Sequence, residues 1–306
     1  MANDASTCDV EIDEELVAGL IARQFPQWSD RTVRAIVPGG WDNRSFRLGE
    51  DMLVRLPSAG CYAAQVEKEQ RWLPVLAPML PRPIPSPIAM GEPGSGYPWR
   101  WAILGWLDGE PACRDNVADI AQLARDLAEF LRALWRADAN EGPPPGRHNF
   151  FRGGAVATYD REVREAIAGL AGRIDSGLAT TVWQQALAST WEHPAVWVHG
   201  DVSESNLLVR DGRLAAVIDF GSSGVGDPAC DLAMAWTFFA RSEREVFRRG
   251  VELDTATWRR ARGWSLWKAL SLMHREDGPE WAVRDSWRVL RELLDDVGVG
   301  ALPEAS

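Results

Sequence analysis

The spacing of apolar residues changes about one third of the way along the chain, and this change constrains the fold more than any other feature. Before it, the alternating run at residues 52–56 and the apolar run at residues 99–107 are typical of strands. After it, residues 116–136 keep one apolar face at helical spacing. The sequence therefore predicts an α+β chain with a small sheet-rich domain, residues 1–104, and a larger helical domain, residues 105–306.

Other elements follow the same two patterns. The long helix near residues 116–136 has two candidate N-caps, Asp115 and Asn116. Pro74 and the proline-rich tract after it predict the end of one helix and an extended connector. Helices are also predicted at residues 14–24, 65–76, 159–171 and 180–191, and strands at residues 33–37, 45–48, 196–199 and 214–220.

Composition limits the partners of the chain. The formal net charge of −11 repels phosphate backbones and anionic membranes, so we expect no nucleic-acid or membrane partner and favour a cationic small molecule. No apolar run approaches the roughly 20 residues of a membrane helix, and the acidic N-terminus lacks the features of a secretory signal. The 4 cysteines show no CxxC spacing, which argues against a disulfide framework or a zinc site. We expect a soluble, cytoplasmic protein.

Polar groups follow two strand-like runs, residues 196–199 and 214–220. His-Gly-Asp, ending at Asp201, follows the first run, and Asp219 begins Asp-Phe-Gly at the end of the second. Asn206 lies five positions after Asp201, which is the spacing of the Asp and Asn in kinase catalytic loops. Phosphoryl transfer needs a carboxylate that orients the acceptor hydroxyl and accepts its proton, and oxygen ligands for Mg²⁺. Asp201 fits the first role, and Asn206 and Asp219 fit the second.

Together the motifs HGDVSESN, IDFG and GDPACDLA resemble the aminoglycoside phosphotransferase family, which includes macrolide phosphotransferases. The resemblance implies a bilobal, protein-kinase-like fold, with an antiparallel sheet in a small N-terminal lobe and a larger, mostly helical C-terminal lobe. It implies the same roles for the three residues above, and a supporting role for Asp227 or Asp231. His199 is either a catalytic acid or base or a structural histidine that positions the loop, and we favour the structural role.

The resemblance extends upstream to MLVRLP, VEKEQRWLPVL and ILGWLDGEP, which are similar to the nucleotide-side strand, helix and hinge. In kinases a strand lysine pairs with a helix glutamate to hold the phosphates. Arg55 stands in place of that lysine, with Glu69 as its expected partner and Glu67 as the alternative. A guanidinium supplies a fixed charge and several donors, so it suits this role. Lys68 is interpreted as a solvated helix residue.

Two further segments are candidates for nucleotide contacts. Gly39 and Gly40 lie in PGGWDN, where a glycine-rich loop would cover the phosphates. This segment lacks GxGxxG, so a plain hairpin turn explains it equally well. Leu104 and Trp106 fall at the hinge, where backbone groups would meet the adenine or guanine edge, although Trp106 is alternatively a core residue.

The resemblance implies that the acceptor lies in the C-terminal part, where the family uses acidic and aromatic residues to hold cationic drugs. Glu204, Glu276 and Asp277 are the acidic candidates here. Glu204 is distinctive because it lies inside the catalytic loop, residues 199–206. Other residues of the right type, each also explained as a solvated helix face or a packed core residue, are Glu280, Trp264, Trp267, Trp281 and Trp287.

Three functions are compatible with these residues. The leading hypothesis is a Mg²⁺-dependent enzyme that moves the γ-phosphoryl group of ATP or GTP to a hydroxyl of a cationic small molecule, as in aminoglycoside or macrolide resistance. The first alternative is a metabolic kinase acting on choline, homoserine, a sugar or an amino alcohol, because the motifs handle the nucleotide rather than the acceptor. The second is a non-catalytic nucleotide-binding regulatory module, motivated by the missing strand lysine and the altered loop residues 202–204.

Overall fold

The sheet-rich and helix-rich parts of the chain are visible in the order of its elements. The computed structural model describes residues 11–37, 39–40, 42–273 and 280–298. The strands are β1 Val33–Ala35, β2 Asn43–Leu48, β3 Met52–Pro57, β4 Pro87–Gly91, β5 Trp101–Gly105, β6 Glu110–Pro111, β7 Val196–Val198, β8 Leu207–Arg210, β9 Arg213–Val217 and β10 Gly224–Gly226. The helices are α1 Glu14–Gln24, α2 Gly60–Leu76, α3 Ile120–Arg136, α4 Asp160–Gly169, α5 Ser176–Leu187, α6 Met234–Thr237, α7 Arg241–Val251, α8 Thr255–Met273 and α9 Glu280–Gly298.

Five antiparallel strands form the N-terminal sheet in the order β1-β2-β3-β5-β4. The interior strand β5, between β3 and β4, is buried on both faces. Trp101 and Ile103 pack in the cluster that includes residues of α1, whereas Ala102 and Leu104 pack with Val66 of α2. Helices therefore cover both faces, which explains why the predicted strand at residues 99–107 is almost continuously apolar.

The C-terminal part is built around α3, whose apolar face is buried and which packs against α7, β7 and β9. The prediction for its start was wrong, because the helix begins at Ile120 and the carboxylate of Asp119 accepts the N–H of Gln122 at 3.0 Å. Asn116 instead closes the preceding turn, where its side chain accepts the N–H of Cys113 at 2.9 Å. Within the described ranges, no helix is both long and apolar enough to span a bilayer.

The tract after α2 differs in part from the predicted connector. Its end forms the edge strand β4, which pairs only with β5 and carries a register shift between Pro87 and Ala89. An edge position tolerates a proline because the missing N–H faces away from the ladder. Pro74 lies inside α2, which ends two residues later at Leu76.

Candidate active site

The β8–β9 hairpin brings Asn206 and Asp219 together. In its register Leu207 faces Val217, and the N–H of Ile218 donates to the carbonyl of Asn206 at 2.9 Å. Asn206 directly precedes the hairpin and Asp219 directly follows Ile218, so antiparallel pairing makes them spatial neighbours. Asp219 has a φ of 65°, a left-handed conformation that Asp tolerates better than most residues, and here the chain leaves the strand direction.

Arg55 on β3 joins α2 to the Asp219 loop. Its Nη1 donates to both carboxylate oxygens of Glu69, at 3.0 and 3.2 Å, and its Nη2 donates to Oδ1 of Asp219 at 2.8 Å. Burial alone would lower the pKa of Arg55, but these two carboxylates raise it above its ordinary value. Of the two possible partners, Glu69 is the one in contact, since Glu67 pairs with Arg100 at 2.7 Å. The arginine is thus a fixed cation between two acidic groups.

Lys68 is buried, so its interpretation as a solvated helix residue was wrong. Its Nζ donates to the carbonyl oxygens of Gly221 and Ser223, at 2.6 and 2.8 Å. Burial lowers the pKa of Lys68 to about 8. The loop after Asp219 packs against this face of α2, and its carbonyl oxygens satisfy the ammonium.

Asp201 is held by a lysine that the sequence did not indicate. Nζ of Lys268, on α8, donates to Oδ1 of Asp201 at 2.8 Å, and Nδ2 of Asn206 donates to the backbone carbonyl of Asp201 at 2.9 Å. Burial would raise the pKa of Asp201, but the charges of Lys268 and Arg152 and the hydrogen bond from Lys268 lower it to about 2. The carboxylate is therefore ionised at every physiological pH.

His199 is fully buried beneath the catalytic loop, and both of its ring nitrogens are engaged. Its Nε2 lies 2.9 Å from the carbonyl of Ile218, which can only accept, so this nitrogen carries the proton. Its Nδ1 accepts the N–H of Asp201 at 3.3 Å. In this arrangement the ring positions the backbone of Asp201 and has no free nitrogen for acid–base chemistry.

The two candidate supporting aspartates lie in different places. Asp231 accepts the backbone N–H groups of His199 and Gly200, at 3.1 and 2.8 Å, and so holds the catalytic loop directly. Asp227 instead pairs with the buried Arg260 of α8, with Nε to Oδ2 at 2.6 Å. Burial raises the pKa of both aspartates, while their hydrogen-bond donors oppose this rise.

The segment between β1 and β2 brings a third carboxylate to the site. Burial and the charges of Asp219 and Asp201 raise the pKa of Asp42 to about 7, so its carboxyl group lies within electrostatic range of both carboxylates. In the sequence, only its place in PGGWDN points to Asp42. Gly39 and Gly40 line an open cleft of about 800 Å³ together with acidic residues at the start of α1.

The hinge candidates have well-defined surroundings. Leu104 is buried in β5 between Leu53 of β3 and Pro87 of β4. Trp106 is half-buried rather than part of the core. Its backbone N–H donates to the carbonyl of Asp51 at 2.9 Å. Its ring lies against a guanidinium, with Cζ of Arg47 3.9 Å from the ring centroid. The backbone N–H of Trp106 is thus already engaged.

Of the three acidic acceptor candidates, only Glu204 is described, since Glu276 and Asp277 lie outside the described residues. Glu204 is half-buried in the turn before β8, and burial raises the pKa of its carboxyl group. Among the other candidates, the side chains of Glu280 and Trp281 are also outside the described set. Trp264 and Trp267 pack with Tyr159 and Arg152, and Trp287 lies against Arg173.

A family model described as "Phosphotransferase enzyme family" matches residues 33–264, which is well over half of the 306-residue chain. The chain belongs to this family. The match confirms the predicted resemblance and makes the chain a phosphotransferase enzyme.

Similar proteins agree with this membership of the phosphotransferase family. An aminoglycoside 3'-phosphotransferase of Enterococcus faecalis is 43% identical over 54 residues, which span 18% of this chain and 19% of that protein. An uncharacterised protein of Bacillus subtilis (strain 168) is 24% identical over 172 residues, spanning 53% of this chain and 51% of that protein. These sequence matches therefore span from a fifth to a half of the curated relatives.

Solved structures confirm the fold predicted for the family. A GDP complex of aminoglycoside 2'-phosphotransferase-IIIa has a TM-score of 0.72 at 18% identity, covering 93% of this chain and 100% of that one. The macrolide 2'-phosphotransferase of Brachybacterium faecium has a TM-score of 0.61 at 20% identity, covering 96% and 99%. The α+β architecture, with an antiparallel sheet followed by a helical part, is thus that of the phosphotransferases.

The donor set of this phosphotransferase fits a magnesium ion, which prefers hard oxygen ligands. The amide nitrogen of Asn206 is engaged with Asp201, and Asp219 supplies a carboxylate. Gln65 adds a buried amide, 2% exposed, whose oxygen and nitrogen have no hydrogen-bond partner. Its Oε1 and Oδ1 of Asp219 lie 2.6 and 3.3 Å from the position that a Cβ on Gly221 would occupy. The sequence did not single out Gln65.

Proposed function

We propose that this enzyme transfers the γ-phosphoryl group of ATP or GTP to a hydroxyl group of a small molecule. The observation that carries the proposal is the ionised carboxylate of Asp201, held by Lys268 in the same site as the Arg55–Glu69–Asp219 cluster. The GDP and ADP complexes of structurally similar phosphotransferases support a nucleotide cosubstrate. Residues 1–104 would bind the nucleotide, and residues 105–306 would provide the catalytic loop and the acceptor site.

Asp201 would orient the acceptor hydroxyl and take its proton. With a pKa of about 2 it is a weak base towards a free alcohol. It therefore accepts the proton late, once the oxygen has begun to bond to phosphorus and the hydroxyl has become acidic. Lys268 keeps the carboxylate ionised and fixed in one direction, and His199 and Asp231 hold the backbone beneath it.

Arg55 would contact the α- and β-phosphates. Its charge is fixed, and its two carboxylate partners, Glu69 and Asp219, hold the guanidinium in one orientation. Asn206 and Asp219 would hold Mg²⁺, with Gln65 nearby. When bound, this ion neutralises charge on the phosphate oxygens. This arrangement replaces the kinase lysine and supports catalysis over a purely regulatory role.

Two acceptor classes have support. Aminoglycosides and macrolides are named in structurally similar phosphotransferases, and the net charge of −11 favours a cationic drug held by Glu204, Glu276 and Asp277. An acceptor of metabolic type that carries a negative charge is favoured by a different observation. The charges that act on Asp201 most strongly are the cations Lys268 and Arg152, which would attract an anionic group of the acceptor.

The test incubates purified protein with Mg²⁺ and ATP or GTP against aminoglycosides, macrolides, amino alcohols and hydroxy acids. Mass spectrometry then looks for an acceptor heavier by one phosphoryl group. Asp201→Asn should lower turnover by about 100- to 10,000-fold while leaving nucleotide affinity unchanged. The matched control is Asp211→Asn, an exposed aspartate in the β8–β9 turn, which should keep full activity. Full turnover in Asp201→Asn would exclude the assigned role.

A further inference from the structure

Arg152 lies beside the catalytic loop and is held there by stacking. A Cβ placed on Gly200 would be 3.0 Å from Cβ of Arg152, so the two backbones are in close approach. The guanidinium carbon lies 4.4 Å from the ring centroid of Trp267 and 5.4 Å from that of Trp264, both on α8. Stacking of this kind fixes the guanidinium plane without using its N–H donors. The ring contacts therefore use none of the guanidinium N–H groups, on a side chain that starts beside Gly200 of the catalytic loop.

This guanidinium forms no ion pair with a carboxylate among the residues that the structure describes, although its charge acts on Asp201 at longer range. Its Nη1 is buried and has no hydrogen-bond partner. Arg152 is half-buried, whereas the fully buried arginines Arg55, Arg244 and Arg260 each form ion pairs with carboxylates at 2.6 to 3.1 Å. A buried N–H group of a cation without a hydrogen-bond partner is costly in free energy. A ligand with a negative charge would lower this free-energy cost by pairing with the guanidinium of Arg152.

Two more donors of the same cluster are unused. The indole Nε1 of Trp264, a side chain only 3% exposed, and that of Trp267 are both buried without an acceptor. The neighbouring hydroxyl of Tyr159 is already engaged, because it donates to the carbonyl of Phe150 at 2.7 Å. Lys268 is engaged with Asp201. The cluster thus offers three unsatisfied N–H donors and a positive charge.

We propose that Arg152, with the indole N–H groups of Trp264 and Trp267, binds an oxyanion beside Asp201, and that this oxyanion is a carboxylate or phosphate group of the acceptor substrate. The inference rests on the proposed function and selects the acceptor class that carries negative charge. Arg152 stacks on Trp267 of α8, whereas Arg55 contacts Asp219 from the side of the sheet. Because Arg152 lies on the helical side, we assign the anion to the acceptor, and the γ-phosphoryl group is the competing source.

The binding test uses three probes with the same six-carbon polyol chain: gluconate, which is anionic, sorbitol, which is neutral, and glucamine, which is cationic. The 306-residue protein is first saturated with Mg²⁺ and a non-hydrolysable ATP analogue, so that the γ-phosphoryl position is filled. Calorimetry should then give a Kd for gluconate at least about tenfold below those of sorbitol and glucamine. Equal binding of the three probes, or tighter binding of glucamine, would overturn the inference.

Arg152→Gln should remove the preference for gluconate, and Arg152→Lys should retain part of it. The matched control is Arg173→Gln, because the guanidinium carbon of Arg173 also lies over an indole, 4.9 Å from the ring centroid of Trp287, but its side chain is exposed. This control should keep the full preference. A gluconate preference that survives in Arg152→Gln would contradict the role of Arg152. Circular dichroism and thermal unfolding establish that each variant folds.

A separate titration distinguishes the two sources of the anion. If the acceptor supplies it, Arg152→Gln binds the ATP analogue within about twofold of the wild type. A tenfold loss of analogue affinity, with no loss for ADP, would assign Arg152 to the γ-phosphoryl group and overturn the inference. Failure of the proposed function has a different signature. No acceptor would then gain a phosphoryl group, although the calorimetric result for gluconate still decides the anion site.

Discussion

Replacing Arg260 by Met tests how much the buried support of the site contributes to stability. Arg260 and Asp227 are 2% and 6% exposed, and Nε lies 2.6 Å from Oδ2. Removing one partner of a buried pair costs about 3–5 kcal/mol, because the other charge is left uncompensated. A second argument gives a similar figure. If Asp227 takes up a proton instead, starting from its ordinary pKa of 3.8, the cost at pH 7 is at most about 4 kcal/mol.

Urea unfolding followed by tryptophan fluorescence measures this cost. Arg249→Met is the control, because Arg249 makes an ion pair of similar length, 2.8 Å to Glu245, but its side chain is 79% exposed. We expect a cost of about 0.5 kcal/mol or less there. In Arg260→Met the native state binds a proton on Asp227 that the unfolded chain releases above pH 4 or so. Its cost should therefore fall by up to about 1.4 kcal/mol for each pH unit below 7. Equal costs for the two variants, or a cost independent of pH, would refute the reasoning.

Two further predictions concern the nucleotide side. Glu69→Gln leaves Arg55 with one carboxylate partner instead of two, so the KM for the nucleotide should rise about tenfold in steady-state kinetics. Glu67→Gln, which removes an exposed ion pair, should change that KM less than about twofold, and an equal rise would contradict the assigned pairing. Burial and the carboxylates of the site raise the pKa of Asp42 to about 7, so the native state binds a proton that the unfolded chain releases. The contribution of Asp42 to the free energy of unfolding therefore falls as the pH rises towards 7. Asp42→Asn removes this effect, so it should raise Tm at pH 8 more than at pH 5.

The sequence predicts those parts of the site that depend on local structure. Asn206 and Asp219 border one hairpin, so their proximity follows from strand pairing between residues close in sequence. The pairing of Arg55 with Glu69 also follows from a strand and the next helix, although choosing between Glu69 and Glu67 required the observed direction of the helix faces. The burial of β5 is also a local feature, because a continuous apolar run is typical of a buried strand.

Contacts between distant segments were not predictable. Lys268 lies 67 residues from Asp201, and only the packing of α8 against the catalytic loop brings them together. Lys68 illustrates a second difficulty. A lysine is normally solvated, so the pattern of apolar residues does not reveal that this face of α2 packs against the carbonyl oxygens of a loop. The position of Arg152 was equally unpredictable, because its contacts with Trp264 and Trp267 do not follow from any spacing of residues in the sequence.

The loop after Asp219 is fastened to α2 twice, by Lys68 through backbone carbonyls and by Arg55 through the carboxylates of Glu69 and Asp219. In protein kinases, control acts by moving the equivalent helix so that the strand cation loses its glutamate. Here such a movement would separate buried charges from their partners at a cost of several kcal/mol. We therefore expect folded molecules to keep this arrangement. Under the proposed function, the rate of phosphoryl transfer would then follow the amounts of the enzyme and its substrates, with no conformational signal needed to start it.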